Sequence, residues 1–293
     1  MKRSKNINMF LMDGEVTGII KCTLSNWTGV IYKIPRIQLA DLKSRDEMKQ
    51  SGIYFLFGRN EDKQKDVTYI GQATNRKNGE GVLLRVQEHT RDNHADYFND
   101  VIILTTQNNS FGPTEISYLE NKFTQLAKES GRFIVKNSNE PNSGNVTEEK
   151  VSELLAYIEF SKLPIGLLGK KVLTPIDELA DSGRSEGEVI YTMTQKVGSE
   201  VVTGYAKETN EGFLLLKGSK VSHKTAQTIS ESLKLRRKTV KKDNDNCIME
   251  DILFNSPSTA AMFLIGQTAN GLILWKNKEG VNLKEIRNRN NNI

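Results

Sequence analysis

The chain reads Gly52-Ile-Tyr-Phe-Leu-Phe-Gly58, a polar stretch over residues 59–66, and then Val67-Thr-Tyr-Ile-Gly71. The two outer segments are rich in β-branched and aromatic residues, and the stretch between them is typical of a turn. The pattern therefore predicts a β-hairpin with a long loop. Such a hairpin would place Tyr54 and Tyr69, which are separated by 14 residues, on adjacent strands.

Two helices and a strand are predicted to follow the hairpin. Residues 82–98 have helical spacing, and Arg85 and His89 stand four residues apart, so both should project from one face of that helix. Residues 100–105 are typical of a buried strand. Pro113 suits the first position of a second helix.

The second helix offers two carboxylates near its start. Glu115 falls in the first turn, where the helix dipole favours a carboxylate without any function. Glu120 lies beside an apolar stripe that includes Ile116 and Phe123, so we expect it to point toward the sheet. Glu120 is the stronger candidate for a metal ligand, and Glu115 is the alternative.

These residue types together suit phosphodiester hydrolysis. The carboxylate of Glu120 can hold one divalent cation, Mg²⁺ or Mn²⁺, and the cation and Arg85 can neutralise charge that grows on the phosphate. A phenol of Tyr54 or Tyr69, helped by the imidazole of His89, can take a proton from the attacking water. The sequence leaves open which tyrosine acts as the base.

The pair Gly52-Ile53-Tyr54 and Tyr69-Ile70-Gly71 resembles the two motifs that name the GIY-YIG nuclease superfamily. The resemblance covers roughly residues 50 to 140. It implies a metal-dependent endonuclease with one active site. It also implies a small three-stranded sheet flanked by helices, which makes the fold class α/β (α+β).

The resemblance also implies roles for particular residues. Arg85, His89 and Glu120 match the family arginine, the His/Tyr position and the metal-binding glutamate, and Asn137 matches a late asparagine that several members carry. The alternative for Asn137 is a loop-forming residue. Gln72 departs from the excision-repair members, which have a lysine at that position.

Composition shifts along the chain divide it into four predicted parts. They are an N-terminal β/helix extension (1–49), the nuclease domain (50–165), a linker (166–188) and a C-terminal α+β domain (189–293). The last part, with Phe254-Asn-Ser-Pro-Ser-Thr-Ala-Ala and Asn270-Gly-Leu-Ile-Leu-Trp-Lys, resembles a domain of unknown function that is often appended to GIY-YIG proteins.

Positive charge is concentrated in the C-terminal part. Residues 217–242 hold nine lysines or arginines and one glutamate, whereas residues 52–140 hold 11 basic and 12 acidic residues. A nuclease whose catalytic part is near neutral needs phosphate contacts from elsewhere, so we expect the basic segment to bind DNA. The alternative is a solvated helix face. The candidate residues are Lys234, Arg236, Arg237, Lys238, Lys241 and Lys242.

The whole composition limits the class of protein. The chain has 293 residues, of which 37% are hydrophobic and 26% charged, and no apolar run approaches the roughly 20 residues of a membrane helix. Cys22 and Cys247 lie far apart and fit neither a zinc spacing nor a disulfide scaffold. We therefore expect a cytoplasmic protein with no membrane partner. Other possibilities are a non-catalytic nucleic-acid-binding or regulatory protein on the same scaffold, and a nuclease that acts on RNA. The sequence does not set the oligomeric state.

Overall fold

A computed structural model of the protein divides the chain into two compact units, Met1–Pro175 and Ile176–Ile293. The residues that it describes are 4–60, 65–74, 81–91, 96–138, 141–176 and 189–290. Each unit combines a β-sheet with helices, which confirms the α+β class.

The first unit is built on a seven-stranded sheet in the order β1-β2-β3-β6-β4-β5-β7. Its strands are β1 (Ile7–Leu11), β2 (Ile20–Leu24), β3 (Gly29–Pro35), β4 (Gly52–Asn60), β5 (Lys65–Ala73), β6 (Phe98–Thr106) and β7 (Ile134–Val135). Its helices are α1 (Val82–Thr90), α2 (Pro113–Ser130) and α3 (Glu148–Leu167). Two 3₁₀ helices, Arg36–Leu42 and Asp46–Lys49, follow β3.

Strand β4 lies inside this sheet and is buried on both faces. Its odd-numbered residues Ile53, Phe55 and Phe57 belong to the core that α2 and α3 cover, while Tyr54 and Leu56 belong to the core that α1 and the 3₁₀ helices cover. A strand buried on both sides needs a continuous apolar run, not an alternating one. This explains the composition of residues 52–58.

The sheet is larger than the three strands that the sequence predicts. Residues 1–49 do not form a separate extension, because β3 pairs antiparallel with β6 from Gly29 opposite Thr106 to Pro35 opposite Asp100. Val30, Ile31, Tyr32 and Ile34 are buried in this position. Without β3, the central strand β6 would be an exposed apolar edge, which folded proteins avoid.

The boundary between the units falls inside the predicted linker. Residues 166–175 belong to the first unit: α3 ends at Leu167, and Val172 and Leu173 are fully buried in its core. Residues 177–188 of the predicted linker lie outside the described residues.

The second unit is a four-stranded antiparallel sheet in the order β11-β10-β9-β8, with helices packed on it. Its strands are β8 (Tyr191–Val197), β9 (Glu200–Thr209), β10 (Gly212–Leu215) and β11 (Ile252–Phe254). Its helices are α4 (Glu231–Thr239), α5 (Pro257–Ile265), α6 (Gly271–Leu274) and α7 (Leu283–Asn290). Trp275, Phe213 and Phe263 form the centre of its core.

Three elements of the second unit differ from what the local sequence favours. Helical spacing over residues 224–235 favours a helix there, but α4 begins only at Glu231, because the Ser230 hydroxyl caps it by accepting from the Leu233 amide. The apolar run within residues 270–276 favours a strand, but the structure has the short helix α6, which the Asn270 side chain caps. The Asn/Arg-rich composition from Arg287 favours disorder, but α7 continues to Asn290.

None of the helices in the described parts of the chain combines the length and the apolar composition needed to cross a bilayer.

Candidate active site

The glycine of each predicted motif stands where a larger residue would collide with its neighbours. Tyr54 pairs with Gly71 across β4 and β5, and a Cβ on Gly71 would lie 2.3 Å from Tyr54 Oη. A Cβ on Gly52 would lie 2.6 Å from the carbonyl oxygen of Leu104 on β6. Gly71 leaves room for the Tyr54 phenol to cross β5, and Gly52 lets β4 and β6 approach closely.

Tyr54, Tyr69 and His89 form one aromatic cluster, on the face of the sheet that α1 covers. Tyr54 Oη lies 2.8 Å from His89 Nε2, and the Tyr69 ring centroid lies 5.3 Å from that of His89. Tyr54 is 1% exposed, whereas Tyr69 is half-buried. The prediction that the two tyrosines occupy adjacent strands is confirmed.

Burial affects the two phenols to different degrees. Burial raises the pKa of Tyr54 far above its ordinary value, and the nearby charge of Arg85 opposes this rise. The pKa of Tyr69 is also raised by burial, and Arg85 and a hydrogen bond from Tyr54 oppose the rise. Tyr54 is therefore held as a neutral phenol inside the cluster, and Tyr69 is the phenol that reaches the surface.

Arg85 lies on the same face of α1 as His89 and is exposed. Its Nη1 donates to Glu88 Oε2 over 2.6 Å, and 43% of the side-chain surface is accessible. An exposed pair of this kind contributes less than about 1 kcal/mol to stability. Breaking this ion pair therefore costs little, and the Arg85 guanidinium can bind a phosphate in place of Glu88. Glu88 was not predicted as part of the site.

Glu120 reaches the same region from α2, which packs on the opposite face of the sheet. β7 pairs with β5 at Val67 and Thr68, and no further strand of the described chain covers the rest of this edge. Side chains from both faces therefore meet around β5. Accordingly, the Glu120 carboxylate interacts electrostatically with both Arg85 and Tyr69.

Burial raises the pKa of Glu120 to about 7, against the opposing effects of a hydrogen bond from Gln72 and the charge of Arg85. A carboxylate that is costly to ionise in this environment gains from a bound cation. By contrast, Glu115 lies beside Gly112 at the start of α2 and lines a different cavity with Trp27 and Tyr157. The geometry therefore makes Glu120 a stronger candidate than Glu115 for a metal ligand.

This shift predicts a pH-dependent stability for the metal-free protein. The folded carboxyl holds its proton up to about pH 7 but the unfolded one only to about 4.5, so stability is lost as pH rises through that window. Glu120→Gln has no charge to bury and should be more stable than wild type by about 1 kcal/mol above pH 7. Urea unfolding at pH 4 and pH 8 measures the difference. An equal difference at both pH values would contradict the prediction.

The donors present fit a magnesium ion that is held mainly by its substrate. The described residues contain no cluster of three or more His, Cys, Asp or Glu side chains that could bind a metal alone. Mg²⁺ commonly keeps several waters and is bound through one or two carboxylates and substrate phosphates. A single partly buried carboxylate, Glu120, beside Arg85 matches that pattern.

A cleft of about 260 Å³ opens beside these groups. Its wall comes from the end of β5, the start of α1 and the start of α2, and includes Gln72, Arg85 and Ser117. Ser117 carries no sequence signal of its own, since a serine at a helix surface is common. It becomes noticeable only when the fold places it opposite Gln72, 45 residues earlier in the chain.

The Asn137 side chain bonds to the backbone of β5. Its Oδ1 accepts from the Ile70 amide at 3.1 Å, and its Nδ2 donates to the Ile70 carbonyl oxygen at 2.7 Å. The side chain thus continues the parallel pairing of β7 with β5 by one step. The structure therefore places Asn137, which is predicted to be catalytic, on the backbone of the strand that carries Tyr69.

Asn137→Ala should therefore lower stability, because it leaves both polar groups of Ile70 without this partner. We expect a loss of about 1–2 kcal/mol, the usual net worth of two such bonds. Chemical denaturation measures it, with Ser138→Ala, an exposed neighbour, as the control. If the two variants unfold alike, Asn137 does not hold β5.

Arg237, within the basic segment (residues 217–242), is buried inside the second unit. Arg237 is 4% exposed and donates to the carbonyl oxygens of Phe263, Leu264, Ser222 and Lys224. The first two lie in the last turn of α5, where carbonyl groups lack helical partners and a cation is favoured. The prediction that Arg237 binds DNA is wrong, because its guanidinium is enclosed by the protein.

The other five residues predicted to bind DNA differ in whether their charged groups already have partners within the protein. Lys234 pairs with Glu231 at 2.7 Å, and Lys242 donates to the Arg237 carbonyl oxygen at 2.9 Å. Arg236 donates to the Leu253 carbonyl oxygen and lies over the Phe254 ring. Lys238 and Lys241 are exposed.

Arg237→Met should destabilise the second unit by at least about 2 kcal/mol, because it removes the donors to four carbonyl groups. Lys238→Met removes the same charge from an exposed position and should leave stability within about 0.5 kcal/mol of wild type. Thermal unfolding in a Trp27→Phe background, followed by the fluorescence of Trp275 as the remaining tryptophan, reports on this unit's core. Equal effects of the two variants would contradict the structural role.

Comparisons with known proteins bear on the second unit. A family model described as "Domain of unknown function (DUF4357)" matches residues 195–287. This confirms that the C-terminal part is similar to a domain of unknown function, and it assigns no activity. No match to a GIY-YIG family model was found. No curated protein and no solved structure matches the chain.

Proposed function

We propose that the protein is a metal-dependent endonuclease that hydrolyses DNA phosphodiester bonds through a single active site of the GIY-YIG type. One observation carries the proposal. Residues from four separate elements, Tyr54, Tyr69, His89, Arg85 and Glu120, meet at the open edge of β5. Such a convergence of phenols, imidazole, guanidinium and carboxylate beside a cleft is typical of a site for phosphate chemistry.

In this proposal Tyr69 and His89 handle the proton of the attacking water. Water attacks phosphorus, the bond from phosphorus to the 3′-oxygen breaks, and the 3′-oxygen is protonated from solvent. The proton of the water passes to the Tyr69 oxygen as the Tyr69 phenol gives its own proton to the imidazole of His89. Tyr69 is chosen over Tyr54 because it reaches the surface, while Tyr54 is enclosed between β5 and His89. Tyr54 then orients the other two side chains.

Arg85 and Glu120 handle the charge. Arg85 is long, exposed and held near the cluster, so it can bind the phosphate in two-point fashion as charge increases on its oxygens. Glu120 would hold Mg²⁺ or Mn²⁺, which when bound supplies further neutralisation of that charge.

DNA is proposed as the partner on the basis of charge. The described side chains around the cleft offer one exposed cation, Arg85, so additional phosphate contacts must come from elsewhere. Lys238 and Lys241, with Lys234 and Arg236 beside them, are the candidates in the second unit. The free cysteines, with Cys22 buried in the core, agree with a reducing compartment, so we propose that the protein acts in the cytoplasm.

A cleavage assay tests the proposal. Purified protein is incubated with supercoiled plasmid, single-stranded DNA or RNA, with Mg²⁺ or with EDTA. We expect Mg²⁺-dependent nicking of the plasmid, and the same preparation of Glu120→Gln should be inactive. Binding of plasmid without any cleavage would instead indicate a non-catalytic nucleic-acid-binding protein, and cleavage of RNA alone would make RNA the substrate.

A further inference from the structure

Gln72 directly follows the Tyr69-Ile70-Gly71 segment and faces α2. Successive residues of a strand point to opposite faces. Tyr69 and Gly71 therefore face α1, while Ile70 and Gln72 face α2. Gln72 is the first polar side chain after Gly71 on the α2 side, and it lines the cleft.

Gln72 contacts two residues that are neighbours on α2. Ser117 Oγ lies 3.2 Å from Gln72 Nε2 and 3.3 Å from Gln72 Oε1. The Gln72 amide also donates a hydrogen bond to the Glu120 carboxylate. Ser117 and Glu120 are three residues apart, so they share one face of the helix. Ser117, Gln72 and Glu120 are thus connected by hydrogen bonds across the gap between β5 and α2.

The order of donors follows from the chemistry of the three groups. A carboxylate only accepts, so Gln72 must present its N–H to Glu120. The amide orientation that does this is fixed when the Ser117 hydroxyl donates to Gln72 Oε1. Ser117 therefore sets the direction of the Gln72 amide, and the amide sets the position of the carboxylate.

We infer that Gln72, oriented by Ser117, is a positioning residue that holds the Glu120 carboxylate in place for a divalent cation. The inference rests on the proposed function, since it assigns a support to that site's metal ligand. Partners that orient a ligand in this way typically change metal affinity by 10–100-fold when they are removed. Gln72 touches neither substrate nor cation in this scheme, so it acts through Glu120.

The test is Mn²⁺ binding to the full-length protein, followed by EPR without any nucleic acid. Gln72→Met keeps the length of the side chain and removes its donors, and we expect affinity for Mn²⁺ to fall about tenfold. Ser117→Ala should have a smaller effect in the same direction, and Ser117→Thr, which restores a hydroxyl, should recover wild-type affinity. Thr74→Val changes a residue of the same cleft and serves as the control.

Cleavage kinetics give a second measurement. For Gln72→Met we expect the Mg²⁺ concentration at half-maximal rate to rise about tenfold, while the rate at saturating Mg²⁺ stays within about threefold of wild type. Mn²⁺ affinity equal to wild type in Gln72→Met overturns this inference alone. Failure of the wild-type protein to bind Mn²⁺ more tightly than Glu120→Gln overturns both this inference and the proposed metal site.

Discussion

Glu120→Gln is expected to reduce Mg²⁺-dependent cleavage of supercoiled plasmid by about a thousandfold or more while the protein stays folded. The substitution keeps the size of the side chain and its hydrogen-bonding reach, but it removes the negative charge that is proposed to hold the cation. A metal that stabilises charge in a phosphate transition state supplies several kcal/mol, and about 4 kcal/mol corresponds to three orders of magnitude in rate.

The matched control for this variant is Glu115→Gln, which changes the other carboxylate of the first turns of α2. Glu115 lines a different cavity, so this variant should cleave within about threefold of wild type. Near-UV circular dichroism verifies that both variants fold. Full cleavage by Glu120→Gln at low Mg²⁺ would remove Glu120 as the metal ligand, and inactivity of Glu115→Gln would transfer that role to Glu115.

Arg85→Ala is expected to have the second large effect, a loss of about a hundredfold to a thousandfold in the cleavage rate at saturating DNA. Its guanidinium is the exposed cation of the site, and its pairing with Glu88 is weak enough to yield to a phosphate. Arg85→Lys should recover only part of the rate, because an ammonium cannot make two parallel contacts to one phosphate.

Glu88→Gln separates the role of Arg85 in catalysis from its role in the ion pair. This variant removes the pair but keeps the guanidinium, so we expect a rate within about threefold of wild type and little change in unfolding free energy. If Glu88→Gln lost as much activity as Arg85→Ala, the ion pair itself and not the free guanidinium would be required.

The hairpin was predictable because its signals are local. The apolar run of β4, the polar turn and the order of the following elements depend on neighbouring residues, and the structure confirms the antiparallel pairing of Tyr54 with Gly71. The positions of Arg85 and His89 on one helix face follow from helical periodicity in the same way.

The parts that could not be predicted depend on distant partners. Asn137 bonds to Ile70, which lies 67 residues away in the chain, and local sequence cannot distinguish this role from catalysis. Arg237 lies within a charge run that is typical of a solvated surface, yet two of its carbonyl partners, Phe263 and Leu264, lie on a helix more than 20 residues further along the chain. The pairing of β3 with β6 likewise could not be predicted, because the sequence of a strand does not show which other strand it pairs with.

The pairing of β3 with β6 has a practical consequence for anyone who wishes to produce the first unit alone. A fragment cut at residue 50, where the two motifs begin, would lose seven paired residues along β6 and expose Ile102 and Leu104 beside an open backbone edge. Such a fragment should associate through that edge. The piece that keeps the whole seven-stranded sheet starts before Ile7 and runs to Pro175, so the proposed nuclease module would be about twice as long as the stretch of residues 50–140 that carries the resemblance.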